Sequence, residues 1–184
     1  MKIETRTLTG VAVLAALAVV FDYTLKYSGF KISFPWLPFL KFDFTGIPVV
    51  LSMLMYGLIP GFFTSAIAGL AILARSSDIV GASMKALAEF STVVGMNLRL
   101  KKSKKFWLPS SFLLGIAIRM FVMSIANFIL IFFGLIKVLI VYLPLIGIFN
   151  IIQGSISMVG GYLIYKAVIK RIPAQQSEPI TGDY

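Results

Sequence analysis

Six polar side chains interrupt the apolar segments in the second half of the sequence, and their chemistry suits the binding of a polar solute. Lys85 and Glu89 are four residues apart, so on a helix they share a face and can form an ion pair. Ionisable groups within apolar spans usually face a partner or a water-filled cavity. The alternative is that the two charges only neutralise each other and that the amides only join helices. The six residues are Lys85, Glu89, Arg119, Asn127, Asn150 and Gln153.

The residues that most catalytic and cofactor sites require are missing from the sequence. There is no histidine and no cysteine, which excludes thiol and imidazole chemistry, disulfides and the usual zinc or haem sites. A glycine-rich phosphate-binding loop is absent, so the chain cannot hydrolyse ATP itself. No serine has a histidine to activate it. We therefore predict that the protein is not an enzyme and carries neither a metal nor a cofactor.

Membrane-spanning helices are the elements that must position these side chains. Of the 184 residues, 59% are hydrophobic and 13% are charged, whereas soluble domains carry about 25% charged residues. We predict an all-α integral membrane protein, a bundle of six transmembrane helices that forms one domain over residues 1–173. Residues 174–184 form a polar tail that we expect to be disordered.

The apolar segments give the expected positions of the six helices, since a span needs roughly 20 apolar residues. A break at Gly57, Pro60 and Gly61 separates the second helix from the third, which we expect to be short for a span. The helices cover about 8–25, a stretch from near Thr45 to the break, a stretch from the break to near Arg75, about 79–98, about 106–134, and a last stretch that begins between 138 and 144 and ends at "YKAVIKRIP".

Basic residues predict the orientation, because lysine and arginine are enriched in cytoplasmic loops. With the N-terminus in the cytoplasm, most of the 17 lysines and arginines fall in cytoplasmic segments, including the run "RLKKSKK" at 99–105. The net charge of +10 is therefore explained by topology, and we expect no nucleic-acid partner. Both termini are predicted to be cytoplasmic, which places the first loop outside, above the polar residues.

That first loop contains the stretch "FPWLPFLKFDFTGIP", residues 34–48. Prolines fix φ and remove backbone donors, so Pro35 and Pro38 keep the stretch out of a helix. We expect either Asp43 or Thr45 to cap the second helix. The apolar residues that should hold the loop against the bundle are Trp36, Leu37, Phe39 and Leu40.

Several motifs, taken in order over about residues 7–172, resemble the S-components of energy-coupling factor (ECF) vitamin transporters, most closely the riboflavin-specific branch. The first helix carries Ala12 and Ala16 at the small-residue spacing that permits close helix approach. The other motifs are "PFLKFDFTGIP", "YGLIPGF", "ALAEF", "ANFIL" and "YLPLIGIFNIIQGSIS".

The resemblance implies a substrate-binding component that captures riboflavin from outside the cell. Such a protein works with a transmembrane coupling subunit driven by two ABC ATPases, and Ala12 and Ala16 would dock on that coupling subunit. By position, the residues implied to bind substrate are Leu40, Phe42, Asp43 and Phe44 of the loop, with Lys85, Glu89, Asn127, Asn150 and Gln153 of the helices.

Three positions depart from the riboflavin branch. Glu89 stands where the branch has asparagine, Gln153 where it has lysine, and Gly46 where it often has a second aspartate. Lys85 and Glu89 together could replace the lost groups, or they could indicate another vitamin or precursor. A membrane scaffold without a solute is a further alternative. The role of Arg119 is left open between a partner for Glu89 and a member of a lower polar network.

Overall fold

The computed structural model describes residues 5–100, 107–136 and 139–171, which form six α-helices and one β-hairpin. A 3-10 turn, Ile140–Tyr142, precedes the last helix. The strands are β1 (Ser33–Phe34) and β2 (Leu37–Lys41). The helices are α1 (Thr5–Tyr27), α2 (Gly46–Tyr56), α3 (Leu58–Ser76), α4 (Ile79–Leu100), α5 (Trp107–Phe132) and α6 (Leu143–Ile169). The predicted tail at 174–184 lies outside the described residues.

Five of these helices are long and apolar enough to cross a membrane, and α2 is the short one. Its 11 residues span about 16 Å, roughly half of a bilayer core. We expected the third helix to be short, and that expectation was wrong, because α3 has 19 residues. The break between α2 and α3 is at Gly57, the first of the three predicted break residues. Its φ of 98° suits glycine and ends α2. The protein is a multi-pass membrane protein.

The first loop contains a hairpin that the sequence did not predict. Phe34 pairs with Leu37 across the turn, and both are buried against α6, where they contact Ile146 and Phe149. Of the four residues expected to hold the loop down, Leu37 is buried and Leu40 is half-buried, as expected. Trp36, in the turn between the strands, and Phe39 of β2 are exposed instead.

The start of α2 is held by a different contact from the predicted cap. Thr45 is the N-cap residue, but its side chain makes no capping hydrogen bond to the helix. Asp43 Oδ1 accepts hydrogen bonds from the Thr45 N–H at 3.1 Å and from Thr45 Oγ1 at 2.7 Å. The carboxylate thus orders the segment that leads into α2 without capping the helix itself.

Helix α2 packs in the centre of the bundle despite its length. Val49 and Val50 of α2 are buried against Val93 of α4 and Met158 of α6. A Cβ added at Gly161 of α6 would lie 2.8 Å from the Cβ of Val50, so only glycine permits this close approach. This packing fixes the first turn of α2, and the loop end before it, against α4 and α6.

Candidate functional site

Helix α4 places Lys85 and Glu89 one turn apart on the face that points into the bundle. Lys85 Nζ donates to Glu89 Oε1 at 2.9 Å, so the expected ion pair is confirmed. Glu89 is 1% exposed, and the same Oε1 also accepts a hydrogen bond from Arg119 Nη1 at 3.2 Å. The pair therefore does not simply neutralise itself, because each charge has a further partner.

Arg119 of α5 is the centre of the deeper contacts. Its Nε donates to Asn150 Oδ1 of α6 at 3.2 Å, and its Nη1 donates to Thr92 Oγ1 of α4 at 3.0 Å. The guanidinium is 1% exposed and therefore needs these partners and Glu89. The structure thus gives Arg119 the role that the sequence left open, as the second cation paired with Glu89.

Asp43 connects the first loop to these groups. Its Oδ1 accepts a hydrogen bond from Lys85 Nζ at 2.8 Å, and the carboxyl group is buried. Burial would raise the pKa of Asp43, but the ammonium of Lys85 and the hydrogen bonds from Lys85 and Thr45 outweigh it. The pKa of this carboxyl consequently lies below its ordinary value of 3.8.

Gln153 of α6 holds the backbone of the same loop residue. Its Nε2 donates to the Asp43 carbonyl oxygen at 2.9 Å, and its Oε1 accepts from the Asp43 N–H at 3.3 Å. Both ends of the amide are therefore satisfied by one peptide segment. A buried side chain with two such bonds fixes the position of the loop against α6.

We call the connected group Asp43, Lys85, Glu89, Arg119, Asn150 and Gln153 the polar network. It joins the first loop to α4, α5 and α6, and it contains two carboxylates and two cations, so its charges balance. Five of the nine predicted substrate-binding residues belong to it, together with Arg119. In a bundle this apolar, such a network is the arrangement that can recognise a polar solute.

The other four predicted substrate-binding residues lie outside the network. Asn127 is buried, but its Nδ2 donates to the Met123 carbonyl of its own helix at 2.7 Å. Phe42 stacks on Phe149 of α6 with ring centroids 4.9 Å apart. The remaining two are Leu40, which is half-buried beside this aromatic pair, and Phe44, which is 45% exposed.

A second ionic cluster was not predicted from the sequence. Asp22, near the end of α1, is 1% exposed and accepts hydrogen bonds from Arg75 Nε of α3 at 2.7 Å and from Lys31 of the first loop. The signal was available, because an aspartate within an apolar helix requires a partner. This cluster fixes the beginning of the loop, as Asp43 fixes its end.

A groove between α5 and α6 has a volume of about 290 Å³ and contains none of the predicted site residues. Its lining is mainly apolar, which suits contact with lipid tails better than with a polar solute. The lining residues are Met120, Ser124, Leu143, Pro144, Gly147, Ile148 and Ile151.

A solved structure described as the S component of a bacterial ECF transporter is similar to this chain. The match has a TM-score of 0.77 and 24% sequence identity, and it covers 90% of this chain and 96% of that one. The chain has the S-component fold. No protein-family model and no curated protein sequence matches it. In this fold, Ala12 and Ala16 are exposed on α1, whereas Ala15 and Ala18 are buried.

Proposed function

We propose that the protein is the substrate-binding S component of an ECF-type ABC importer. It captures riboflavin from outside the cell and delivers it through a transmembrane coupling subunit that two ABC ATPases drive. In this role the protein performs no catalysis and holds neither a metal nor a cofactor. Both termini lie in the cytoplasm, as the distribution of basic residues predicts.

One observation carries this proposal: within the S-component fold, a buried and charge-balanced polar network connects the first loop to three helices. A purely structural bundle would gain little from three buried charges and a half-buried lysine, because their desolvation offsets most of their mutual attraction. The network lies where the loop meets the bundle, through the contacts of Asp43 with Lys85 and Gln153. That position suits a site that the first loop covers.

Riboflavin is supported by the combination of aromatic and polar groups. Phe34, Phe42 and Phe149 form an aromatic cluster with centroid separations of 4.9 to 6.0 Å, and Phe42 immediately precedes Asp43 in the sequence. A flavin ring needs such an apolar surface, and its polar edge and ribityl chain need hydrogen-bonding partners. The network and Asn127 are our candidates for those partners.

Two of the departures from the riboflavin branch are neighbours in space. A Cβ at Gly46 would lie 2.3 Å from Glu89 Oε2, so an aspartate at this position could not coexist with Glu89 in this arrangement. The carboxylate that the riboflavin branch often has at position 46 is thus absent here, and a carboxylate is present at position 89 instead. This exchange favours a ligand of similar polarity, while the changed geometry leaves another vitamin or precursor as the second candidate.

The exposed alanines of α1 support a docking role toward the coupling subunit. Ala12 and Ala16 present small side chains on a helix surface, which permits the close approach of another helix. A scaffold protein without a solute could use the same surface. The S component binds a vitamin and the scaffold does not, so a measurement of vitamin binding distinguishes the two functions.

The proposal is tested by measuring thermal unfolding of the purified protein with a panel of vitamins, each added separately. We expect riboflavin alone to raise Tm, since a ligand that binds only the folded state stabilises it. A rise with a different vitamin would retain the S-component role and replace the ligand. No rise with any vitamin would favour the scaffold.

A further inference from the structure

The free oxygen of the Glu89 carboxylate has no hydrogen-bond partner. Among the buried side-chain nitrogen and oxygen atoms in the described part of the chain, Glu89 Oε2 is the one without a partner. Its companion Oε1 accepts from both Lys85 and Arg119. A buried acceptor left unpaired is costly, and more so when it belongs to a charged group.

The surroundings of Oε2 explain why no protein group reaches it. A Cβ added at Gly46 would lie 2.3 Å from Oε2 and 2.1 Å from Ser157 Oγ, so the glycine is packed against both atoms. The Ser157 hydroxyl donates to the Gln153 carbonyl at 3.1 Å and is therefore already used. Gly46 is the first residue of α2, directly after the loop segment that Asp43 and Gln153 hold.

The amide groups of the network have no comparable unpaired atom. Asn150 donates to the Ile146 carbonyl and accepts from Arg119, and Gln153 is bonded at both ends to Asp43. Among the buried side-chain atoms of the network, the one without a partner is therefore an acceptor. A ligand that offered only acceptors here would meet a carboxylate oxygen and be repelled.

We infer that Glu89 Oε2 selects the ligand by accepting a hydrogen bond from an N–H donor of a neutral heterocycle. This inference rests on the proposed function. The ligand class is a ring with an imide or lactam N–H, and it is neutral because the two carboxylates and two cations already balance. The start of α2 must withdraw from Glu89 for the ligand to reach Oε2, since Gly46 covers that atom in this structure.

The test compares riboflavin, which has an imide N–H, with 3-methylriboflavin, in which a methyl group replaces that hydrogen. The purified protein is titrated with each flavin, and the ratio of the two dissociation constants is measured. We expect methylation to weaken binding to the wild-type protein by about 10- to 100-fold, because it removes the donor and leaves Oε2 unpaired. Equal affinities for the two flavins would overturn the inference, even if no variant folds.

The variant Glu89→Gln identifies the atom responsible. Lys85 and Arg119 orient the new amide oxygen toward themselves, which places the amide nitrogen where Oε2 was. We expect the ratio of the two dissociation constants to fall to about one. Asp22→Asn removes a buried carboxylate charge outside the polar network and keeps Glu89 Oε2, so its ratio should stay near the wild-type value.

The outcomes separate this inference from the proposed function. If riboflavin binds and Glu89→Gln retains the wild-type ratio, riboflavin remains the proposed ligand and the role of Oε2 is overturned. If Asp22→Asn loses the discrimination as fully as Glu89→Gln does, the loss of any buried carboxylate is responsible and the inference is again overturned. If neither flavin binds the folded wild-type protein, the riboflavin proposal fails and the inference fails with it.

Discussion

Asp43 and Gln153 are joined through both ends of the glutamine amide, although 110 residues separate them in the sequence. The donor and acceptor of the side chain match the carbonyl and N–H of one loop residue. Asp43 also binds Lys85 through its carboxylate, so the end of the first loop is attached to α4 and α6 at once. This attachment places the loop over the polar network.

Replacing Gln153 with leucine should release the loop while leaving the bundle folded. The substitution removes both hydrogen bonds to the Asp43 backbone and keeps a side chain of similar size. The protein has no native cysteine, so a spin label at Phe39→Cys reports on the exposed strand β2 alone. We expect the label to become more mobile in Gln153→Leu.

Ser155→Ala is the matched control for this substitution. Ser155 lies two residues further along α6 and bonds only to the Ile151 carbonyl of its own helix among the contacts described. The label should have its wild-type mobility in this variant. Equal mobility in Gln153→Leu and the wild-type protein would mean that the amide does not hold the loop.

Arg119→Met should destabilise the protein strongly. The change leaves the Glu89 carboxylate buried with only Lys85, and removing one partner of a buried ion pair costs about 3–5 kcal/mol. A lower Tm in detergent would measure this effect. Lys26→Met is the control, because Lys26 is an exposed cation on α1 and its loss should change Tm little.

The double variant Arg119→Met with Glu89→Met tests whether the two charges act as a pair. Asp43 and Lys85 remain and balance each other, so we expect the double variant to be less destabilised than the sum of the single changes. Strict additivity of the two effects would show that Arg119 and Glu89 are not coupled.

The pH dependence of the loop follows from the lowered pKa of Asp43. A carboxyl with a lowered folded-state pKa stabilises the fold fully above its unfolded value of 3.8 and loses that contribution as the pH falls through the folded value. The label at position 39 should therefore keep its mobility from about pH 7 to about pH 4 and become mobile only below. In Asp43→Asn it should be more mobile throughout. Release of the wild-type loop near pH 6 would contradict this assignment.

Bulky residues on the exposed face of α1 should separate transport from binding. We expect Ala12→Trp combined with Ala16→Trp to abolish co-purification with a coupling subunit and its ATPases, while riboflavin still raises Tm. Ala117→Trp, at an exposed position on α5, is the matched control and should leave the association intact. Loss of the association in both variants would point to a general effect of bulk on lipid-facing surfaces.

The helices could be predicted closely because each span needs a long apolar run, and such runs are visible in the sequence. Their boundaries differ from the prediction by only a few residues at α1, α4 and α5. The break after α2 was predicted at Gly57, Pro60 and Gly61, and it occurs at Gly57 alone, with Pro60 and Gly61 in the first turn of α3. The hairpin was also missed, since its short strands contain Pro38 and form through contacts with α6.

The sequence singled out the six members of the polar network but not most of their contacts, and their role in binding substrate stays a prediction. Lys85 and Glu89 could be paired from their spacing alone, because helix geometry determines which residues are neighbours. The partners that come from other elements could not, and Arg119, Thr92 and Asp22 were missed or left without a role for this reason. Asn127 shows the converse, since a polar residue that was predicted to bind substrate bonds to its own helix.

The most direct test of the central claim is a titration of riboflavin with the purified, folded wild-type protein, followed by flavin fluorescence. Burial of the ring among Phe34, Phe42 and Phe149 should quench the fluorescence, and the quenching should saturate at one flavin per protein in the micromolar range or below. Asn150→Ala should weaken the binding, because it removes a partner of Arg119 within the network. Unquenched fluorescence at micromolar flavin, with protein that unfolds cooperatively on heating, would contradict the account.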